Sequence, residues 1–437
     1  MTAEAGAVDP LAPATAARLT SAEHLRLMLY GGGLLVLINF SGPMFGLVTI
    51  PVTFFLKNRL HLHSNELALF NLWVGTPLFV SFLFGFLRDR WSPFRTGDRG
   101  HVVIFGLVTA AIFAGLALFN PTYASLLIGL LAATVAFLMV WSAAAGLIST
   151  IGQQQAMAGQ MSTAVSIAGC LPAIGSYLAG GLLSGLLEGH NAMTAARILF
   201  MVAAAMMVVI AVFGALGPKS LFDASSATAP TASVVRDIAR LVRHWPIYPV
   251  LMIQLLWQFS PAIGTVLQYH LTNTLHASDA QWGAWNAIFL GSFVPIYLAY
   301  SYLCQRVRLS WLLWGGFTLA VFQVTPLLFV HTAVGALWAA AMMGVIGAIA
   351  QAALTDLAIR SCPAGLQGTM MMLFTGIYYI AVRFGDLFGT DLYDHHGGFL
   401  TAVIATIIVY ALILPILLLV PRRLIATTDG QALAVDG

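Results

Sequence analysis

The stretch Gly85-x-Leu87-x-Asp89-Arg90, followed by Arg95 and Arg99, sets a carboxylate among arginines in a polar gap between two apolar runs. A carboxylate so placed can face the positive N-terminal end of another helix, which favours negative charge by roughly 0.3–1 kcal/mol. Far downstream, one apolar run carries Tyr378, Arg383 and Asp386. Arg383 and Asp386 stand three apart, so on a helix they share a face and can pair. A guanidinium offers two parallel donors to a carboxylate or phosphate. An acid beside it would titrate with burial and with occupation of the arginine. Counted from Ala364, Arg383 falls ~28 Å along its helix, so the alternative is a pair that reaches out to the membrane interface. Gln254 and Gln258, at i and i+4, project two amides from one face; Asn39 and Asn286, the latter near Trp282 and Trp285, add more. Such amides suit the lining of a polar cavity or hydrogen bonds between helices. Asp356 is the remaining acid in an apolar run, placed to couple protons or to pair with Arg360.

Other chemistry lacks its residues. There is no GxxxxGK[ST] phosphate loop and no G-x-S-x-G. The pairs His61-x-His63 and His395-His396 have no third ligand, and Cys170, Cys304 and Cys362 stand far apart. The expectation is therefore no enzyme, no catalytic residue, no metal, no cofactor and no nucleic-acid partner.

Composition says where these groups must sit. Of 437 residues, 59% are hydrophobic and only 8% charged, with a mean hydropathy of +0.90. Soluble chains are about 25% charged, so the surface must largely face lipid. A span needs about 20 apolar residues, and without water only helices or closed barrels satisfy the backbone. Candidate spans are 27–55, 66–87, 101–119, 122–150, 161–187 and 195–217, then 246–270, 281–304, 309–331, 333–358, 364–388 and 398–420. The expected fold is an all-α integral membrane protein of about twelve transmembrane helices in two pseudo-symmetric six-helix halves. The domains are a tail at 1–24, a bundle at 25–217, a linker at 218–245, a second bundle at 246–420 and a tail at 421–437. Within the linker, Arg236, Arg240 and Arg243 oppose an apolar face, the pattern of a helix lying on a membrane surface. With both termini on one side, the tails and even-numbered loops hold 15 of the 19 lysines and arginines. That side is expected to be cytoplasmic, with no basic leader before the first span.

The halves echo each other. Asn58, Leu60, His61 and Asn71 recur as Asn273, Leu275, His276 and Asn286, each 215 residues later. Phe40-Ser41-Gly-Pro43 matches Phe259-Ser260-Pro261, and the Gly85–Arg90 stretch matches Ser301–Arg306 at an offset of 216, with Gln305 in place of the acid. Parallel repeats of this kind, with G-x-L-x-D-R after the second span, resemble the major facilitator superfamily. The resemblance implies a small-molecule transporter with a central site open to one face at a time. It implies that Asp89 holds the cytoplasmic side shut against the start of span eleven, where Pro363 would occupy the first turn. Only the first half would latch in this way. The antiporter motif of span five is poorly matched, since its Gly-Pro dipeptide is missing among Gly169, Pro172 and Gly175.

Two loops, Leu56-Lys-Asn-Arg-Leu60 and Pro93 with Arg95 and Arg99, together with Ser260-Pro261 and Tyr269, are similar to the folate–biopterin transporter branch. The similarity departs at Asn58 and His61. It implies a flat heteroaromatic acid, a folate- or pterin-like anion, moved by a monomeric proton-coupled symporter of the bacterial inner membrane. Arg383 would meet the carboxylate, and Trp282, Trp285 or Tyr378 would stack on the ring. A drug or metabolite exporter is the alternative on this scaffold. A third reading, non-transporting assembly or sensing, follows from similar loop spacing in pigment-assembly proteins of phototrophic bacteria.

Overall fold

The computed structural model describes residues 21–62, 64–119, 121–218, 222 and 234–431. In the first half lie α1 (Ser21–Ser41), α2 (Gly46–Asn58), α3 (Ser64–Phe79), α4 (Phe82–Arg90), α5 (Asp98–Leu118), α6 (Tyr123–Gln154), α7 (Ala158–Glu188) and α8 (Ala192–Leu216). A linker helix α9 (Val234–Arg243) precedes α10 (Ile247–Gln258), α11 (Thr265–Tyr269), α12 (Asp279–Leu303) and α13 (Leu309–Ala320). Then come α14 (Ala333–Ser361), α15 (Gln367–His395), α16 (Gly398–Ala411), α17 (Ile413–Leu417) and α18 (Arg422–Ile425). Of the expected tails and linker, 1–20, 219–221, 223–233 and 432–437 lie outside the described residues.

Among the described residues, ten helical segments are long and apolar enough to cross a membrane, and α3–α4, bent by 41°, make an eleventh if taken as one span. The remaining expected span, the seventh at 246–270, is broken: α10 is a shorter apolar helix, and α11 resumes after Phe259–Gly264. Pro261 has no N–H to continue α10, and Gly264 takes φ 84, which glycine adopts without cost. The first span breaks at the equivalent place, between α1 and α2 at Gly42-Pro43. Expected boundaries shift by several residues: α6 runs on to Gln154, α7 starts at Ala158 after a tight turn in which Ala156 has φ 51, and α15 runs on to His395.

The sequence echo is also a backbone echo. After α2, Leu60 and Leu62 donate to the carbonyls of Phe55 and Leu56 at 3.3 and 3.2 Å. After α11, Leu275 and Ala277 donate to His270 and Leu271, each of these residues 215 further on, at 3.2 and 2.8 Å. His61 and His276 both sit in the left-handed region, at φ 54 and 52.

Each half has its own packing, α5 on α8 and α1 and α2 on α7 in the first, α14 on α12 and α13 in the second. The halves meet where α15 packs on α4 and α6 and, symmetrically, where α7 packs on α12 and α14. Gly85 makes the α4–α15 approach possible, because a Cβ there would run into the backbone of Gly368 and Thr369. This is the small-residue contact that brings membrane helices close.

Candidate functional site

At the end of the molecule that carries the arginine-rich loop, hereafter the basic end, Asp89 occupies the last turn of α4 with its side chain 1% exposed. It accepts the backbone N–H of Gly368 at 3.1 Å, that of Thr369 at 2.6 Å, and the Thr369 hydroxyl at 2.6 Å. These are second and third residues of α15, whose N–H groups have no partner within the helix. The sequence had suggested Pro363 in that first turn; it lies instead in the connection between α14 and α15, and Leu366 stands at the N-cap position without a side-chain bond to the helix.

Arg88 holds the carboxylate in place. Its guanidinium donates to Asp89 at 2.6 Å and grips Asp98, at the start of α5, through Nε at 2.5 Å and through Nη2. All three groups are buried, and removing one partner of such a set costs about 3–5 kcal/mol. Arg88 and Asp98 are absent from the sequence expectation, although Arg88 stands inside the motif, beside Asp89, and Asp98 directly precedes Arg99. Arg90 reaches Asp237 of α9 at 2.6 Å, and Arg99 donates to the Ala215 carbonyl. The side chain of Arg95 lies outside the described residues.

Asp356 is fully buried in α14 and pairs with Arg360 at 2.7 Å while accepting the Tyr300 hydroxyl at 3.0 Å. Arg360 also donates to Asp429 at 3.1 Å, a residue of the C-terminal tail that no sequence motif marks. Gln305 is exposed and donates to its own helix, at the Ser301 carbonyl.

A second polar group gathers at the break after α10. Gln258 donates to Gln351 Oε1 of α14 at 3.2 Å, and the Trp257 indole donates to the same atom at 2.7 Å. Gln254 is 2% exposed; its amide donates to the Phe374 carbonyl at 3.4 Å, while its Oε1 has no partner among the described residues. An unpaired buried acceptor costs about 1–3 kcal/mol, so a polar occupant there would be favoured. Gln351 was legible as an amide in an apolar run but is not in the sequence expectation.

Arg383 and Asp386 share α15 but do not pair. Asp386 instead accepts the Thr265 N–H at 2.9 Å and hydroxyl at 2.8 Å, capping the open start of α11 beside Gly264. Arg383 is left exposed, as is Tyr378, whose ring meets that of Tyr379 at a centroid distance of 5.0 Å. Asn286 is exposed and donates to the Trp282 carbonyl at 2.9 Å, and Asn39 donates to Leu35 of its own helix. Trp282 stacks on Trp285 and that on Phe289, so Trp285, 1% exposed, is not free to stack on a ligand ring. A cavity of about 250 Å³, lined by Pro51, Phe55, Arg59, Ser184 and Leu199, lies between α2, α7 and α8 and contains none of the expected site residues.

Two helical bundles meeting through paired contacts, with each bundle's first helix broken at its centre, define a two-bundle membrane fold. The sequence model of the Major Facilitator Superfamily matches residues 29–385, and the chain belongs to that superfamily. No curated protein matches the sequence. The fold is similar to that of FucP, a major facilitator transporter solved in the outward conformation (TM-score 0.68, 14% identity, covering 92% of this chain and 99% of that one). It is also similar to the proton:xylose symporter XylE bound to 6-bromo-6-deoxy-D-glucose (0.66, 12%, 95% and 98%). The human organic anion transporter MFSD10 is a third such structure (0.55, 14%, 91% and 100%).

Proposed function

We propose that the chain is a secondary active transporter that moves a small polar organic solute by alternating access. One observation carries the reading: side-chain hydrogen bonds that cross between the halves gather toward the basic end. They include Asp89 on α15, Ser162 on Ala352 and Gln153 on the Ile359 and Cys362 carbonyls. That is the arrangement of a gate shut on one face. With the basic end cytoplasmic, as the arginine distribution suggests, both termini lie inside and the gate is shut toward the cytoplasm.

The site would lie at the α10–α11 break, where Gln254, Gln258 and Gln351 present amides and Gln254 keeps a free acceptor. An organic anion, folate- or pterin-like, is the substrate class supported by the loop resemblance and by an exposed Arg383; Tyr378 or Trp282 would stack on its ring. XylE is a proton:xylose symporter, and proton coupling here is part of the same proposal. Proteoliposomes containing the protein and given labelled folates or pterins from outside, with and without an imposed pH gradient, test it. Uptake that follows the gradient is expected; absence of flux and of any ligand-induced thermal shift across organic anions would sink it. Arg383→Gln should abolish anion binding, and an unchanged affinity would remove Arg383 from the site.

A further inference from the structure

Two helix N-termini at the basic end hold one carboxylate each, in the same way. On α15 the second and third residues, Gly368 and Thr369, donate their N–H groups to Asp89 at 3.1 and 2.6 Å. On α7 the second and third residues, Gly159 and Gln160, donate theirs to Asp429 at 3.0 and 2.9 Å. The second residue is glycine in both, and three residues before each stands a left-handed residue, Ala156 at φ 51 and Gly365 at φ 78. In both, a Cβ on that glycine would press on the acid or its neighbour, Asp89 at 2.7 Å in one case and Cys304 at 2.7 Å in the other. Each carboxylate is backed by a buried arginine, Arg88 or Arg360. The two N-termini are therefore matched carboxylate receptors. The first is filled from α4. The loop residue that would fill the second is Gln305, neutral and turned back on its own helix.

We propose that the C-terminal segment Ala426–Gln431 is the second lock of the basic end, with Asp429 supplying to α7 the carboxylate that Gln305 does not. The segment is bonded on both sides of the boundary between the halves. Toward the first half, Asp429 takes the two α7 N–H groups and Gly430 donates to the Ala156 carbonyl at 2.7 Å. Toward the second, Asp429 donates its N–H to the Cys304 carbonyl at 3.0 Å, and Arg360 donates to the Thr427 carbonyl at 3.1 Å. Separating the halves at this end must break one set or the other. Asp429 is 7% exposed, so its hydrogen bonds are made largely out of water, where a bond left unmade on separation is costly.

The lock rests on the alternating-access reading, but its test needs no substrate, so the two can fail separately. Native cysteines serve as reporters. Cys304 lies directly under the tail, with Sγ 3.6 Å from Asp429, and Cys362 lies between the halves, accepting a hydrogen bond from Ser149 of α6 at 3.1 Å. Maleimide labelling of the full chain, read site by site by peptide mass, would be compared between the parent and Asp429→Ala. Both cysteines should label about tenfold faster, the change expected for a shift of about 1.4 kcal/mol. Gln160→Pro removes one donor N–H in the first helical turn, where proline is tolerated, and should act in the same direction should Asp429→Ala fail to fold. Faster labelling of Cys304 alone would show that the tail is a cover and not a lock. Unchanged labelling of both would overturn the proposal equally.

Discussion

At the scale of single residues, the sequence carried some contacts and concealed others for a reason of distance. Asp89 is legible because its partners are backbone N–H groups, which any helix start provides, so a motif on one side suffices. Asp429 has equivalent partners but reaches them across 270 positions, from a tail without a recognised pattern. The spacing of Arg383 and Asp386 is real, yet the open N-terminus of α11 outcompetes the arginine for the carboxylate. Asp429 also makes the basic end sensitive to pH. Burial, and then the nearby Asp356, push its carboxyl up from 3.8 to about 6, against Arg360 and the N–H groups of Gly159 and Gln160; Cys304 is the other titratable neighbour, and Tyr300 bonds to Asp356 behind it. A docked pKa above that of the free tail means that proton uptake favours docking. The contribution is complete below 3.8 and is lost as the pH rises through about 6. Hydrogen exchange of 426–431, corrected for its intrinsic rate, should therefore be slower at about pH 5 than at about pH 7.5. Faster exchange at the lower pH would mean that the ion pair with Arg360 outweighs burial. His244, whose ring lies 3.1 Å from the Ser361 carbonyl, is held below its usual pKa by burial. Its contribution is present above 6.5 and weakens as the pH falls below that, the opposite sign.

At the scale of elements, hydropathy located the spans because length and apolarity are what a bilayer selects. It could not show that 246–270 is two helices, since Phe259–Gly264 is no more polar than its flanks. The marks were Pro261 and Gly264, and they bear on backbone geometry. The turns that follow α2 and α11 allow a direct check of the repeat. A left-handed residue costs an L-amino acid roughly 1–2 kcal/mol, and a β-branched side chain suffers most. Replacing His61 or His276 by Val should lower the thermal midpoint, while Gly at either site should not. A Val tolerated at one site only would show that the two turns are not equivalent in energy. Thr265→Val removes a hydroxyl donor to Asp386 and should loosen α11 with little effect on α10, visible as faster local exchange confined to 265–275.

At the scale of the whole molecule, the internal echo told more about architecture than any motif, because a constant offset requires two copies of one plan. What it could not tell is how the copies have diverged. Asp89→Asn breaks a buried set whose partners stay behind, so it should lower stability by about 3–5 kcal/mol and speed Cys362 labelling. Combined with Asp429→Ala, the effects should fall short of a sum, since both act on one opening; strict additivity would argue that the two N-termini open independently. The divergence also sets an order of events. Asp89 is rooted in α4, which packs along α15, so that carboxylate leaves its receptor only when a bundle moves. Asp429 hangs four residues beyond α18, within roughly 14 Å of its anchor. It can detach while both bundles stay still, and its tether keeps it at high local concentration for quick return. A door with one fixed bolt and one on a chain opens in a set sequence: the chained bolt slips first, and how often it does so sets the pace at which the heavy leaves can swing.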